Sequence, residues 1–150
     1  MEGVWIAISI PARINIITLG VSDLQASAGF YAALGWTRSA ASSEEIVWFK
    51  TAGSILGLFP YHSLAADAHL PASPRPAFGG VTLAINLPTA DAVQPALEEA
   101  ETAGGTIIKP ASKADWGGVS GYFADPDGHA WEIAWNPFLP LAEDGTLQMP

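Results

Sequence analysis

Three prolines fall within six residues in the segment Leu70-Pro-Ala-Ser-Pro-Arg-Pro-Ala77. Proline fixes its own φ and drives its predecessor toward extended conformations, so this stretch is a stiff connector rather than part of a helix or a central strand. It divides the 150 residues into two parts of similar length, 1–70 and 79–150, joined by a linker at 71–78. A chain divided near its middle invites a search for a repeat. In the first part, Ile14 to Val21 is a β-rich run. Ser22, three residues before Gln25, has the capping-box pattern that opens a helix. Leu24, Phe30, Tyr31 and Leu34 keep a helical stripe, and Gly35 suits the left-handed position that ends it. Strands are predicted at Trp36–Ser39, Glu45–Lys50 and Ser54–Phe59, with Ala52-Gly53 as the turn between the last two. The second part repeats this order. Val81–Leu87 alternates as a strand, a helix runs from Asp91 to Ala103 with Pro95 in its first turn, and Gly104-Gly105 ends it. Three strands follow, near Thr106–Lys109, Val119–Asp125 and His129–Trp135. The expected fold is α+β, an internal duplication of a βαβββ unit with an N-terminal extension and a C-terminal tail.

Composition narrows the function classes. Hydrophobic residues make up 49% of the chain and charged residues 14%, which excludes disorder. Fifteen acids against six bases give a net charge of −9, and six scattered Lys and Arg cannot build a nucleic-acid-binding stripe. The absence of cysteine removes disulfides and thiolate metal sites. The longest stretches without charge, Thr51–Ala66 and Pro76–Ala90, are interrupted by Gly and Pro, so no membrane span is expected. The start Val4-Trp5-Ile6-Ala7-Ile8 is apolar but short, follows Glu2, and reads as mature chain; a cytoplasmic location is the default expectation. Most acids belong to turns and helix surfaces, with Asp125 and Asp127 at a hairpin and Glu98, Glu99 and Glu101 on the second helix. The net charge then reads as a solubility feature.

Asp125-Pro126-Asp127-Gly128 carries the most local information. Proline presets the first central residue of a type I turn, and Gly128 supplies the left-handed residue of a three-residue hairpin loop. That geometry pairs Asp125 with His129, Ala124 with Ala130, Phe123 with Trp131 and Tyr122 with Glu132. Alternation puts Phe123, Trp131, Ile133 and Trp135 on a helix-packed face, leaving Glu132 and Tyr122 on the opposite, concave side.

Three elements together resemble the vicinal oxygen chelate superfamily: the βαβββ repeat, the run Ile16-Ile-Thr-Leu-Gly-Val-Ser-Asp23 leading to Phe30-Tyr31 and Leu34-Gly35, and Asp125-Pro-Asp-Gly-His-Ala-Trp-Glu132. This superfamily includes glyoxalase I, extradiol dioxygenases, and fosfomycin and bleomycin resistance proteins. The resemblance spans residues 14 to 136. Trp116-Gly117-Gly118, Gly121-Tyr122-Phe123 and Trp135-Asn136-Pro137 are similar to a glyoxalase-like subgroup. It implies two modules whose mixed sheets curl into a cup around a pocket, in a homodimer. Metal-dependent relatives hold a divalent ion at four positions, which fall here on Ile16, Gly57, Thr82 and Glu132. Only Glu132 is a ligand type, and a transition metal needs several N, O or S donors. A one-residue slip brings no His or acid into the first module's two positions. No metal and no other cofactor is therefore expected. The histidines are poor replacements, His129 reading as a turn residue and His62 and His69 as exposed positions in an irregular stretch.

If the first and last strands of each module line the cup, alternation points Ile16, Thr18 and Gly20 inward, with Ile55, Gly57 and Phe59. Thr82, Ala84 and Asn86 come from the second module's first strand, and Ala130, Glu132 and Ala134 from its last. These are small or apolar side chains with a few polar points, which suit an organic ligand. A two-residue turn at Ala52-Gly53 pairs Trp48 with Gly57, so that its indole takes the volume the glycine leaves; a one-residue slip puts Phe49 there instead. Trp116, in a glycine-rich loop, is a candidate to cover the cleft. The candidate ligand-binding residues are thus Ile16, Thr18, Trp48, Gly57, Phe59, Thr82, Asn86, Trp116, Tyr122 and Glu132. Glu132 is also the one candidate catalytic group, either paired with Tyr122 or acting as a base with a raised pKa. The favoured reading is a metal-free protein that binds a small organic molecule, aromatic or cationic. The alternatives are a metal-dependent lyase or dioxygenase of the same superfamily, and a dimeric scaffold or regulatory domain with a vestigial pocket.

Overall fold

The computed structural model describes residues 10–150, so the apolar start at Val4–Ile8 lies outside the described residues. Among the described residues seven strands form two separate sheets. The first module consists of β1 (Ile16–Val21), α1 (Leu24–Ala33), β2 (Val47–Lys50), β3 (Ile55–Pro60) and α2 (Tyr61–Asp67). The second consists of β4 (Leu83–Asn86), α3 (Val93–Thr102) preceded by a 3₁₀ turn, β5 (Thr106–Lys113), β6 (Val119–Ala124) and β7 (Ala130–Trp135). The strand orders are β1-β3-β2 and β4-β7-β6-β5, each with a parallel pair at one side and antiparallel pairing elsewhere. No described helix is long and apolar enough to cross a membrane.

Both tight turns set the register that their residues imply. Lys50 pairs with Ile55 and Trp48 with Gly57 around Ala52-Gly53, where Gly53 takes φ +98°. In the second module Tyr122 pairs with Glu132 and Phe123 with Trp131, with Gly128 at φ +86°. Several local expectations are corrected. The N-cap of α1 is Asp23, whose carboxylate accepts from the Ala26 N–H at 3.0 Å, not Ser22. The Ser22 N–H instead donates to Asp127 Oδ1 at 2.8 Å, tying the helix start to the other module. Trp36–Ser39 meets β2 only at an isolated bridge, Arg38 to Phe49. Glu45 and Ile46 are held out of β2 because their N–H groups donate to Ser43 Oγ, and the strand begins at Val47. Finally, the stretch carrying His62 and His69 is not irregular: His62 lies in α2, and His69 ends that helix at φ 55°. β5 also runs further than expected, passing Pro110 through two register shifts. Being an outer strand it tolerates a missing N–H, and the Ala111 N–H is taken up by Gln94 Oε1 at 2.8 Å.

The two modules share one core. Val93, Leu97 and Ala100 of α3 lie at i, i+4 and i+7 and bury one stripe against the second sheet. Phe30 and Tyr31 of α1 reach across the module boundary to Phe123 and Trp131, with ring centroids 6.0 Å apart in each pair. Trp36 meets Trp131 edge-on at 5.7 Å. Beneath these rings lies a polar chain. The Trp131 indole N–H donates to Tyr31 Oη at 3.1 Å, and the Tyr31 hydroxyl donates to Asp125 Oδ2 at 2.7 Å. Asp125 Oδ1 accepts the N–H groups of Asp127 and His129. Asp125 is therefore no solvated turn charge: its side chain is fully buried and meets His129 Nδ1 at 3.0 Å.

Burial alone would raise the Asp125 pKa, but hydrogen bonds from His129 and Tyr31, with the His129 charge, outweigh it and hold the carboxyl below its usual value. Burial, then the Asp125 charge, push the Tyr31 phenol far above its ordinary range. A carboxyl whose folded pKa lies below 3.8 contributes stability in full above that value, lost as pH falls through it. Removing the acceptor with Asp125→Ala should cost about 3–5 kcal/mol at neutral pH, read by urea unfolding. Asp125→Asn, which cannot titrate, should show a shallower loss of stability below about pH 4 than the wild type. Parallel pH profiles would remove Asp125 from the acid response.

Candidate functional site

The faces of the two sheets turned away from this core carry the candidate residues. On the first sheet the register aligns Thr18, Gly57 and Trp48 in one row across β1, β3 and β2, and Ile16, Ile55 and Lys50 in the next. The backbone at Gly57 leaves no room for a side chain. A Cβ built there would stand 2.8 Å from Trp48 Cζ3 and 3.2 Å from Thr18 Oγ1. The indole thus occupies the space over Gly57, as the pairing through Ala52-Gly53 requires. Beside it lies a hollow of about 280 Å³ lined by Ile16, Ser39, Ala41, Trp48, Lys50 and Ile55. Its walls are apolar, with one ammonium and one hydroxyl.

On the second sheet, Ala84, Glu132 and Tyr122 form the corresponding row across β4, β7 and β6, and Asn86, Ala134 and Ser120 the next. The Tyr122 hydroxyl donates to Glu132 Oε2 at 3.3 Å, a long bond between half-buried groups. Partial burial, then the Glu132 charge and the hydrogen bond, raise the Tyr122 pKa. The phenol is therefore held protonated as the carboxylate's donor.

The structure groups the candidates into two sets rather than one. Ile16 and Trp48 line the hollow on the first sheet, with Thr18 and Gly57 in the row beside them, while Phe59 lies two residues further along β3. Thr82, Asn86, Tyr122 and Glu132 belong to the second sheet or its approach, and none of them lines that hollow. Trp116 does not cover it either. At the tip of the β5–β6 connection its ring lies directly on Gly118, where any side chain would collide with it and with the Trp135 carbonyl. Ser39, Ala41 and Lys50 escaped the sequence reading. Ser39 and Ala41 come from the connection after the isolated bridge, where no periodicity marks a face. Lys50 shares the Trp48 face by simple alternation and could have been found that way.

The four positions at which the resemblance to metal-dependent relatives would place a divalent ion do not make a donor set in this chain. Ile16 and Gly57 offer no donor atom, the Gly57 space is filled by an indole, and Glu132 is engaged with Tyr122. Among the described residues no three His, Asp or Glu side chains converge as an ion requires.

This sheet architecture, with its two open concave faces, defines a class. Residues 13–133 match the Glyoxalase/Bleomycin resistance protein/Dioxygenase superfamily, and the chain belongs to it. A glyoxalase-related enzyme from Fulvimarina pelagi is 37% identical, covering 93% of this chain and 99% of its own, with a TM-score of 0.85. A glyoxalase/bleomycin resistance protein/dioxygenase from Nocardioides is 27% identical over 87% of this chain and 86% of that one, at TM-score 0.71. Lactoylglutathione lyase from Agrobacterium tumefaciens, 23% identical over 86% and 97%, shares the fold at TM-score 0.64. Comparison with curated proteins gives no match.

Gly57→Ala tests the packing of the first sheet. The methyl group must displace the indole, and overpacking of this kind costs about 1–3 kcal/mol. Adding Trp48→Ala should remove most of that penalty, a coupling that a double-mutant cycle in urea would measure. Independent, additive effects would show that the indole does not sit over Gly57.

Proposed function

We propose that this protein binds a small organic molecule without a metal ion, holding an aromatic or extended apolar group against Trp48. The observation that carries this reading is the indole over Gly57. It puts an aromatic wall where metal-dependent relatives place a ligating side chain, next to a hollow whose other walls are Ile16 and Ile55. Apolar walls with a few polar points are the usual composition of an organic ligand site. Lys50 and Ser39 then meet an acceptor on the ligand, and Glu132 with Tyr122 orients an amine or hydroxyl from the second sheet.

These two sets belong to one site if a second copy supplies the other sheet. Among the described residues β1 and β4 are outer strands, and Ile14, Ile16 and Val81 beside their edges are 67%, 49% and 68% exposed. Unpaired edges with apolar flanks are templates for pairing with another strand. A homodimer joining β1 of one protomer to the partner's β4 would close each cup from two chains. An enzymatic reading draws support from the Fulvimarina pelagi relative, described as a glyoxalase-related enzyme. It would require Glu132 to act as a base without the ion that such chemistry uses in metal-dependent relatives.

A thermal-shift screen of aromatic and cationic metabolites should find ligands whose effect is lost in Trp48→Ala. For a ligand bearing an amine, Glu132→Gln should weaken binding about tenfold, the worth of one charge-assisted hydrogen bond. Stoichiometric, tightly bound metal after expression with Ni²⁺, Zn²⁺, Mn²⁺ and Fe²⁺ available would overturn the metal-free reading. Light scattering should give twice the chain mass, and Ile14→Lys with Val81→Lys should give the monomer. A dimer unmoved by these substitutions would refute closure through the strand edges.

A further inference from the structure

A second hollow, of about 250 Å³, shares no lining residue with the one at Trp48 and lies where α2 and the proline-rich segment approach the β6–β7 hairpin. Tyr61 and Leu64 of α2, with Leu70 and Pro71 beyond it, supply its apolar walls; Arg75 and His129 supply its polar ones. Gly20 forms part of the wall, and a Cβ there would stand 2.9 Å from the Tyr61 ring, so the glycine is what lets α2 settle this close to β1. The Tyr61 hydroxyl donates to the Ser73 carbonyl at 2.6 Å, pinning the linker along the rim.

Both polar groups are positioned by the protein and left with capacity for a ligand. His129 is 12% exposed, and its Nδ1 is turned to the buried Asp125 carboxylate. That leaves Nε2 as the ring atom without a protein partner among the described residues. Arg75 Nη1 donates to the Asp127 carbonyl at 2.8 Å, which anchors the guanidinium and, among the described residues, leaves the rest of its donor fork unused. Among the described residues no carboxylate lies at ion-pair distance from Arg75, in a chain with fifteen acids to choose from. An anchored guanidinium at the edge of an apolar hollow is suited to a carboxylate group, and the imidazole beside it adds an Nε2–H donor in its imidazolium form, whose charge the buried acid balances.

We propose that this cavity is a second ligand site, distinct from the hollow at Trp48, which takes a small organic carboxylate with its anionic end on Arg75 and His129 and its apolar body against Tyr61, Leu64 and Leu70. The probe is 3-methylbutanoate, with 3-methylbutanol as its uncharged counterpart, followed by NMR at the His129 ring in the full chain. The carboxylate should shift the His129 signals saturably at concentrations up to about 10 mM, and the alcohol should not. Arg75→Gln should weaken the response about tenfold, the loss of one charge-assisted contact. Because that change also releases the Asp127 carbonyl, Leu64→Trp, which fills the hollow without altering Arg75, should abolish the response as well. Trp48→Ala should leave it intact, which separates this site from the hollow at Trp48. Absence of a saturable shift, equal response to acid and alcohol, persistence in both Arg75→Gln and Leu64→Trp, or loss in Trp48→Ala would each overturn the proposal.

Discussion

The Asp125 carboxylate is the point on which the two modules depend. It is buried, yet it stays charged because a phenol, an imidazole and two backbone N–H groups meet its two oxygens. A carboxylate taken out of water without such partners would cost several kcal/mol or protonate. One of these partners comes from a distant part of the chain, since Tyr31 lies in α1, 94 residues away. Satisfying one acid therefore requires the first module's helix to lie against the second module's hairpin. Once it does, Phe30, Tyr31, Trp36, Phe123 and Trp131 fall into one aromatic cluster. The duplication becomes a single core with two sheets on its outside.

This arrangement explains why the concave faces are open. The apolar side chains of both sheets are spent on the shared core, and the opposite faces carry small or half-polar residues. Ile16, Ile55 and Trp48 on the first sheet are exceptions, and the missing side chain at Gly57 explains the largest of them: the indole fills space that a glycine created. The same core also positions the second hollow. The bond that buries Asp125 turns His129 through its Nδ1, and the carbonyl of Asp127 in the same turn anchors Arg75. One hairpin thus joins the modules, aims an imidazole and fixes a guanidinium.

Much of the fold was legible because short-range chemistry specifies it. Pro126 and Gly128 leave the β6–β7 turn one good geometry, which fixes every pair from Ala124–Ala130 to Val119–Trp135. Ala52-Gly53 does the same for Trp48 and Gly57. The errors lie where local signals compete. Ser22 and Asp23 are both good caps, and the choice went to Asp23 because the Ser22 N–H is claimed by Asp127 in the other module. The α2 helix was invisible because Tyr61–Asp67 has no buried stripe to set a helical period.

The sequence alone determined most of the strands, the helices α1 and α3, the register of both hairpins and the face on which Glu132 and Tyr122 stand. These follow from turn chemistry and two-residue alternation, which act over a few residues. Tertiary structure alone decided that Asp125 is buried rather than solvated and that Arg75 and His129 share one hollow. Each depends on contacts between residues far apart in the chain, and no periodicity or spacing records which distant side chains will meet.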